Sequence, residues 1–428
     1  MWRHGGFQQI DINKGDNSMK LAIIGFGVVG SGVAEVFYKN RALIEKKSGP
    51  GHDMDIKYIL DIRDLKDTPY ADKAITDFEI LVKDPEVMVV IETIGGLKPA
   101  YEFTKRSLQA QKHVITSNKE LVATHGAELL KLARENGVSY LFEASVGGGI
   151  PAVFPICQCL GSEEIVELIG ILNGTTNFIM TRMFVEEMSF EDALELAREN
   201  GYVEADPSAD IEGHDACRKI CILASLTFGK HVYPEEVHTE GISGLTKKDV
   251  LAADKAGYQI KLIARAKLLP DEKLMAMVSP ALVSKNSPLA NVSDVFNGIM
   301  VTGSSVGDVM FYGRGAGKLP TASAVISDVV NAISQGGNID RMNWMDAGKD
   351  TVCDHRLDVT PWMVRICENE IPQFFGKCTP VETALPGEKV FITRPISGYQ
   401  IDKFCEDAKK SEIRILSMIR VLEPAPLI

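Results

Sequence analysis

The chain has 428 residues, long enough for two or three domains, and its 45% hydrophobic and 24% charged content supplies ample apolar material for their cores. A formal net charge of -12 argues against nucleic acid or an anionic membrane as the main partner, because both select basic surfaces. No run approaches the roughly 20 apolar residues of a spanning helix, and the N-terminus has no charged-then-apolar signal pattern, so the protein is expected to stay in the cytoplasm, where it is made. The eight cysteines show neither a CxxC pair nor a Cys/His metal spacing, which fits packed, reduced thiols.

Residues 1–18 (MWRHGGFQQIDINKGDNS) carry no apolar period and precede a second methionine, Met19; they read as a leader outside the fold. KLAIIGFGVVGSGVAEVF then supplies a β-rich run, the glycines Gly25, Gly27 and Gly30 in G-x-G-x-x-G spacing, and a helical pattern. The three glycines serve a tight turn, close approach of backbone to a pyrophosphate, and close packing of helix on strand. With the strand before and the helix after, the segment predicts dinucleotide binding at a helix N-terminus. IKYIL (56–60) predicts the second strand, which Asp61 ends. Asp61 suits a ribose hydroxyl, whereas Arg63 and Lys66 suit a 2′-phosphate, so the residues leave NAD and NADP both open.

VMVVIETIG is a continuous apolar run of the kind a doubly covered parallel strand shows, with Thr93 to Gly96 where cofactor loops fall. A helix (Pro99 to Ala110), a strand (HVITSN), a helix (KELVATHGAELLKLARENG) and a strand (SYLFEAS) follow. This alternation specifies a doubly wound parallel sheet, and ligands bind beyond the C-terminal ends of such strands. That rule places Ser117, Asn118, Lys119 and Glu120 at the crevice. The triple glycine in SVGGGIPAVFP (145–155) leaves the sheet, opens a helix and marks a domain boundary.

Beyond it the pattern changes to an α+β domain. IVELIGILNGTTNFIMTRM, LIARAKLLPDEKLMAMVSPALVS and NGIMVTGSSVGDVMFYG read as strands, partly in hairpins, with helices such as SFEDALELAREN between them. GYVEADPSADIEGHDACRK (201–219) gathers Glu204, Asp206, Asp210, Glu212 and Asp215 directly before ICILASLTF, an apolar and therefore buried helix. Asp215 and Lys219 stand four apart, on one helical face with Ile222 and Leu223, so the pair points inward. Burying both costs several kcal/mol or so unless they are paired or put to use. The plainer alternative is a helix N-terminus whose acids suit its dipole on a solvated face. GRGAGKLPTASAVISDVVNAISQ adds a second glycine loop running into a helix, suited to fold back onto the cofactor. From about Cys353, VFITRPI, GYQIDKFCEDAKK and IRILSMIRVLE read as strand, helix and strand, enough for a small module.

Six segments in this order, GFGVVGSG, TSNKELVA, FEASVGGGIP, LNGTTNFI, GYVEADPSADIEGHDACRK and GRGAGKLPTASAV, resemble homoserine dehydrogenase from Met19 to about Gln335. The resemblance implies an α/β enzyme: a Rossmann-type doubly wound domain over 19–150, an α+β catalytic and dimerisation domain over 151–340, and a small C-terminal α+β module over 353–428. It implies NAD- or NADP-dependent interconversion of L-homoserine and L-aspartate 4-semialdehyde, in the route to threonine, isoleucine and methionine. On that basis Lys219, Asp215 and Lys119 are catalytic, and Glu204, Asp210, Thr176 and Gly174 hold the substrate. The cofactor falls to Gly25, Phe26, Gly27, Val28, Val29, Gly30, Arg63, Thr93, Ser117, Lys119 and Gly315. A structural monovalent cation, Na⁺, is implied at the carbonyls of Glu143, Val146, Gly148 and Ile150. A homodimer or homotetramer with no nucleic-acid or membrane partner completes the expectation. The C-terminal module stands where many members carry an ACT domain but lacks the glycine-containing first strand-to-helix signature, so a degenerate ACT-like module is expected. Two other readings are a different amino-acid dehydrogenase of the same architecture and a non-catalytic dinucleotide sensor.

Overall fold

The computed structural model describes residues 18–49, 53–203, 206–334 and 342–422, so residues 1–17 of the expected 1–18 leader and Glu204 lie outside the described residues, while Ser18 opens the first strand rather than ending a leader. The first half builds six strands and four helices in alternation: β1 (Ser18–Ile24), α1 (Val28–Ser48), β2 (Asp53–Leu60), β3 (Ala74–Ile75), α2 (Phe78–Lys83), β4 (Val87–Glu92), α3 (Ala100–Gln109), β5 (His113–Thr116), α4 (Lys119–Glu135) and β6 (Tyr140–Leu141). All pairings are parallel in the order β3-β2-β1-β4-β5-β6. The order reverses between β1 and β4, and the crevice of a doubly wound sheet opens at that point. Leu21, Ile23, Val89, Val90 and Ile91 are fully buried because helices cover both faces of the sheet.

The sequence reading carries β6 through SYLFEAS, but the strand stops after Leu141. There the chain tightens into a 3₁₀ turn over Glu143–Ser145, whose first N–H donates to Asp328 Oδ2 at 2.9 Å. The Glu143 carboxylate in turn accepts from the N–H groups of Ala152, Val153 and Phe154 (2.6–2.8 Å), fastening the turn to the start of α5 (Val153–Gln158).

The second half continues with β7 (Ile165–Ile171), α6 (Gly174–Val185), α7 (Phe190–Glu199), α8 (Ser208–Ile211), α9 (His214–Phe228), β8 (His238–Thr239), α10 (Lys247–Lys255), the hairpins β9 (Tyr258–Leu269) with β10 (Lys273–Ser284) and β11 (Phe296–Gly303) with β12 (Gly307–Arg314), and α11 (Lys318–Ser334). One correction concerns IVELIGILNGTTNFIMTRM, which is strand only to Ile171. Asn173 ends the strand by capping a helix, its Oδ1 accepting from the Thr176 N–H at 2.9 Å. The apolar α9 is buried along nearly its whole length against β7, β9 and β10, and a left-handed glycine stands at each end, Gly213 and Gly229. α11 returns to the first domain and packs along α1, with Lys318 paired to Glu35 at 2.7 Å.

The tail adds β13 (Val359–Thr360), β14 (Trp362–Ile366), β15 (Cys378–Val381), β16 (Lys389–Thr393), β17 (Ile396–Ser397), α12 (Gly398–Lys410) and β18 (Ile415–Val421). It has its own apolar cluster around Trp362, Phe375 and Phe391, yet its sheet is not separate. β18 pairs in parallel with β10, so one sheet runs β12-β11-β7-β9-β10-β18-β14-β16-β15. Buried Arg365 reinforces the seam, donating to Asp249 at 3.1 Å and Glu388 at 2.7 Å. Strand follows strand from β14 to β16 with no α-helix between them.

The crevice depends on one glycine contact. A Cβ at Gly30 would overlap the carbonyl oxygen of Gly25, whereas a Cβ at Gly27 meets nothing within 4 Å. Gly30→Ala is therefore expected to lower stability by about 1–3 kcal/mol in equilibrium urea unfolding, with the Gly27→Ala midpoint unchanged. Equal midpoints for the two variants would contradict this packing.

Candidate active site

The glycine loop closes onto the ends of β1, β2 and β4. Gly25 N–H donates to the Leu60 carbonyl (2.8 Å), and Thr93 donates its N–H to Ile24 O (2.8 Å) and its hydroxyl to Gly25 O (2.7 Å). Gly27 caps α1 without a side-chain cap, and with open space at its Cβ position the first turn presents bare N–H groups as a pyrophosphate requires. Phe26 is buried edge-on to Tyr70, Val29 is half-buried and Val28 is exposed.

Asp61 turns inward. Its Oδ2 accepts the Phe26 N–H (2.6 Å) and Arg63 Nη2 (2.7 Å), while Oδ1 accepts Arg63 N and Nε (both 2.9 Å). Hydrogen bonds from the Arg63 side chain, with those from both backbone N–H groups, outweigh burial and hold this carboxyl well below its usual range. The Arg63 side chain stays 59% exposed, so the surface at this edge is guanidinium rather than carboxylate. Lys66 is exposed and paired with Asp64 at 2.7 Å.

A buried carboxylate organises the ends of β4 and β5. Glu92 accepts the Ile94 N–H (2.7 Å) and the Thr116 hydroxyl (2.6 Å), and Thr116 accepts the Asn118 N–H (2.9 Å). Asn118 caps α4 and reaches Gly96 O at 2.6 Å, which sets half-buried Ser117 and then Lys119 at the mouth of the crevice. Burial pushes the Glu92 carboxyl up, against the pull of these hydrogen bonds.

From the second domain, α9 brings Asp215 and Lys219 to the same place. Asp215 is 6% and Lys219 8% exposed. Asp215 Oδ2 accepts from Lys219 Nζ at 2.7 Å and Asn173 Nδ2 at 2.9 Å, and Oδ1 lies 3.1 Å from Lys119 Nζ. Lys219 Nζ also donates to Leu172 O at 2.7 Å, at the end of β7. Burial alone would raise the Asp215 carboxyl, but the two ammonium charges and its hydrogen bonds overrule it and hold it well below the usual range. Asp215 is the acid of the first turn of α9, but it and Lys219 are both buried, so the alternative in which they suit the helix dipole on a solvated face does not describe the pair.

Asn173 also donates to Asp210 Oδ1 at 2.7 Å, joining two carboxylates through one amide. Asp210 moves the other way: burial and the neighbouring Asp215 charge raise its carboxyl. Thr176 is buried, with its N–H and hydroxyl both turned to Asn173, and Gly174 opens α6 beside it.

The two glycine loops meet at the remaining wall. A Cβ at Gly148 would overlap the carbonyl of Gly315, and Gly149 N–H donates to Arg314 O at 3.2 Å. Glu143, Val146 and Ile150 are buried around this loop, with the Glu143 carboxylate committed to the α5 N–H groups. Among the described residues no cluster of three or more His, Cys, Asp or Glu side chains is arranged to hold a metal ion.

The structure thus brings Lys119, Asp215, Lys219 and Asp210 into one cluster, and Gly25, Gly27, Gly30 and Thr93 into another at the end of β1. Asn173 and Glu92 carry much of this geometry without standing out in the sequence. The one signal for Glu92 is a lone acid closing an apolar strand; for Asn173, it is the amide directly after one.

The family model for homoserine dehydrogenase matches residues 151–330, and that for the homoserine dehydrogenase NAD-binding domain matches residues 25–143. A homoserine dehydrogenase of Synechocystis sp. is 41% identical over 353 residues, covering 80% of this chain and 80% of that protein. The crystal structure of a homoserine dehydrogenase from Thiobacillus denitrificans matches with a TM-score of 0.85 at 30% identity, over 95% of this chain and 98% of that one. A hyperthermophilic archaeal homoserine dehydrogenase mutant in complex with NADPH matches at 0.63 and 27% identity, over 75% and 99%. With its crevice, its buried Asp–Lys pair and these likenesses along most of its length, the chain belongs to the homoserine dehydrogenase family.

Proposed function

We propose that the Asp215–Lys219–Lys119 cluster is the catalytic centre for the family's nicotinamide-dependent interconversion of L-homoserine and L-aspartate 4-semialdehyde, with Lys219 handling the proton. The observation that carries this reading is the ionised, buried Asp215 held between two ammonium groups from two domains. A bound nicotinamide dinucleotide supplies or accepts the hydride at its ring carbon. As the aldehyde is reduced its oxygen gains negative charge and needs a proton, and an ammonium beside a fixed carboxylate keeps that proton available. Lys219 has three N–H donors, of which Asp215 and Leu172 engage two, leaving the third for the substrate oxygen. Lys119, whose side chain is 41% exposed at the mouth, adds positive charge against the developing alkoxide.

Asp210, with Glu204 beyond the described residues, is the partner for the substrate ammonium, and the α6 N-terminus at Gly174 to Thr176 suits its carboxylate. Gripping both ends sets the reacting carbon, an orientation effect worth up to about 7–11 kcal/mol. For the cofactor we infer a preference for NADP, since Asp61 spends its oxygens on the Phe26 N–H and on one edge of the Arg63 guanidinium, whose remaining N–H donors on an exposed side chain are placed to meet a 2′-phosphate. The carbonyls of Glu143, Val146, Gly148 and Ile150 suit a structural Na⁺. Exposed Tyr312 and Val306, on and beside edge strand β12, support a homodimer or homotetramer. No described helix is long and apolar enough to cross a membrane, and the eight thiols are unpaired, as suits a cytoplasmic enzyme.

Lys219→Ala is expected to cut turnover of L-homoserine roughly 10²- to 10⁴-fold while cofactor Kd, from nucleotide fluorescence, stays unchanged. Full turnover in that variant would remove Lys219 from the chemistry. Arg63→Ala is expected to weaken NADP⁺ about tenfold relative to NAD⁺ in equilibrium binding; an unchanged ratio would return the choice of cofactor to other residues.

A further inference from the structure

One buried side chain near the centre takes no part in the chemistry above. Asn297 is 1% exposed, and neither its Oδ1 nor its Nδ2 has a hydrogen-bond partner among the described residues. A buried amide in that state costs free energy unless something completes it, so in a native structure it points to a missing partner. Its place in the fold says where that partner comes from. Asn297 follows the register of Gly298 with Ile171, and therefore stands across from Leu172, whose carbonyl anchors Lys219. It shares the face of β11 that carries Ile299 and Val301 into the main core, the side on which α9 lies against the sheet. On its other flank the amide presses on Gly315, where even a Cβ would overlap it.

We propose that Asn297 binds the carboxamide of the nicotinamide ring and so fixes which way the ring lies against the substrate. The inference rests on the family's nicotinamide-dependent reaction and concerns a residue to which that reading gave no part. A primary amide has a donor end and an acceptor end, and only a ligand group offering both can satisfy the two at once. The substrate's carboxylate offers acceptors alone, its ammonium donors alone, and its hydroxyl oxygen is the one taken by Lys219, whereas the cofactor's carboxamide matches Asn297 end to end. Gly315 is the cover over the amide. The segment Gly313 to Gly317 has glycine at three of five positions, which lets it shift aside for the ring.

The test compares equilibrium Kd values for NADP⁺ and for its 3-acetylpyridine analogue, in which a methyl replaces the carboxamide NH₂. Wild type is expected to bind the carboxamide form about tenfold more tightly, because the analogue leaves Oδ1 unpaired. Asn297→Leu, close in volume, is expected to bring that ratio near one without lowering the melting temperature of the free protein, since no hydrogen bond inside the protein is lost. Asn297→Ala repeats the comparison with a smaller side chain. A wild-type ratio near one overturns the proposal without any variant, and so does a tenfold ratio that survives both substitutions. If wild type bound neither nucleotide, the nicotinamide reading itself would fail, and the proposal with it.

Discussion

Everything at the centre follows from keeping one carboxylate charged where little water reaches it. Asp215 sits at the start of a helix that is otherwise core, and an unpaired ion there would cost several kcal/mol. The protein meets that cost with two lysines and an amide, and the lysines come from different domains: Lys219 from α9 itself and Lys119 from the first turn of α4. That charge therefore also links the dinucleotide-binding sheet and the second sheet across the cleft. Removing either lysine leaves a partly unpaired buried charge, so the stability of the cleft rests on this point.

The supporting layers show the same economy. On one side Glu92, Thr116 and Asn118 pass hydrogen bonds from the end of β4 to the cap of α4, which sets where Lys119 begins. On the other, Leu172 and Asn173 are consecutive residues at the end of β7: one holds Lys219 by its carbonyl, the other holds Asp215 and Asp210 by its amide. Both lie where strands end and helices start, as substrate sites in sheet proteins do. The opposite shifts of Asp210 and Asp215, one raised by burial and its neighbour's charge, the other lowered by two ammonium groups, separate two acids that the sequence presents as equivalent.

Much of this was legible in the residues because the signals were local. The glycine spacing, the βαβ alternation, the two hairpins and the inward-facing Asp215/Lys219 pair all depend on spacings within one or two elements, and all appear as expected. Misreadings arose where a distant group decided the outcome. Nothing within SYLFEAS says that β6 must stop at Leu141; the stop comes from Asp328 on α11, far along the chain. LNGTTNFIMTRM is apolar enough for a strand, and one capping amide makes it a helix. Likewise, no local pattern says that β18 will join β10 and turn an expected separate module into an extension of the central sheet.

The most direct measurement of the central claim is kcat for aldehyde reduction in wild type and Asp215→Asn, beside the cofactor Kd of each. Despite its burial, the Asp215 carboxyl is held below its usual range by the two ammonium groups and its hydrogen bonds, so it stays charged at neutral pH and holds Lys219 Nζ at 2.7 Å. Removing that charge while keeping the shape is expected to lower kcat roughly 10²- to 10⁴-fold with the cofactor Kd unchanged. An unchanged kcat in Asp215→Asn would contradict the claim that this charge maintains the proton donor.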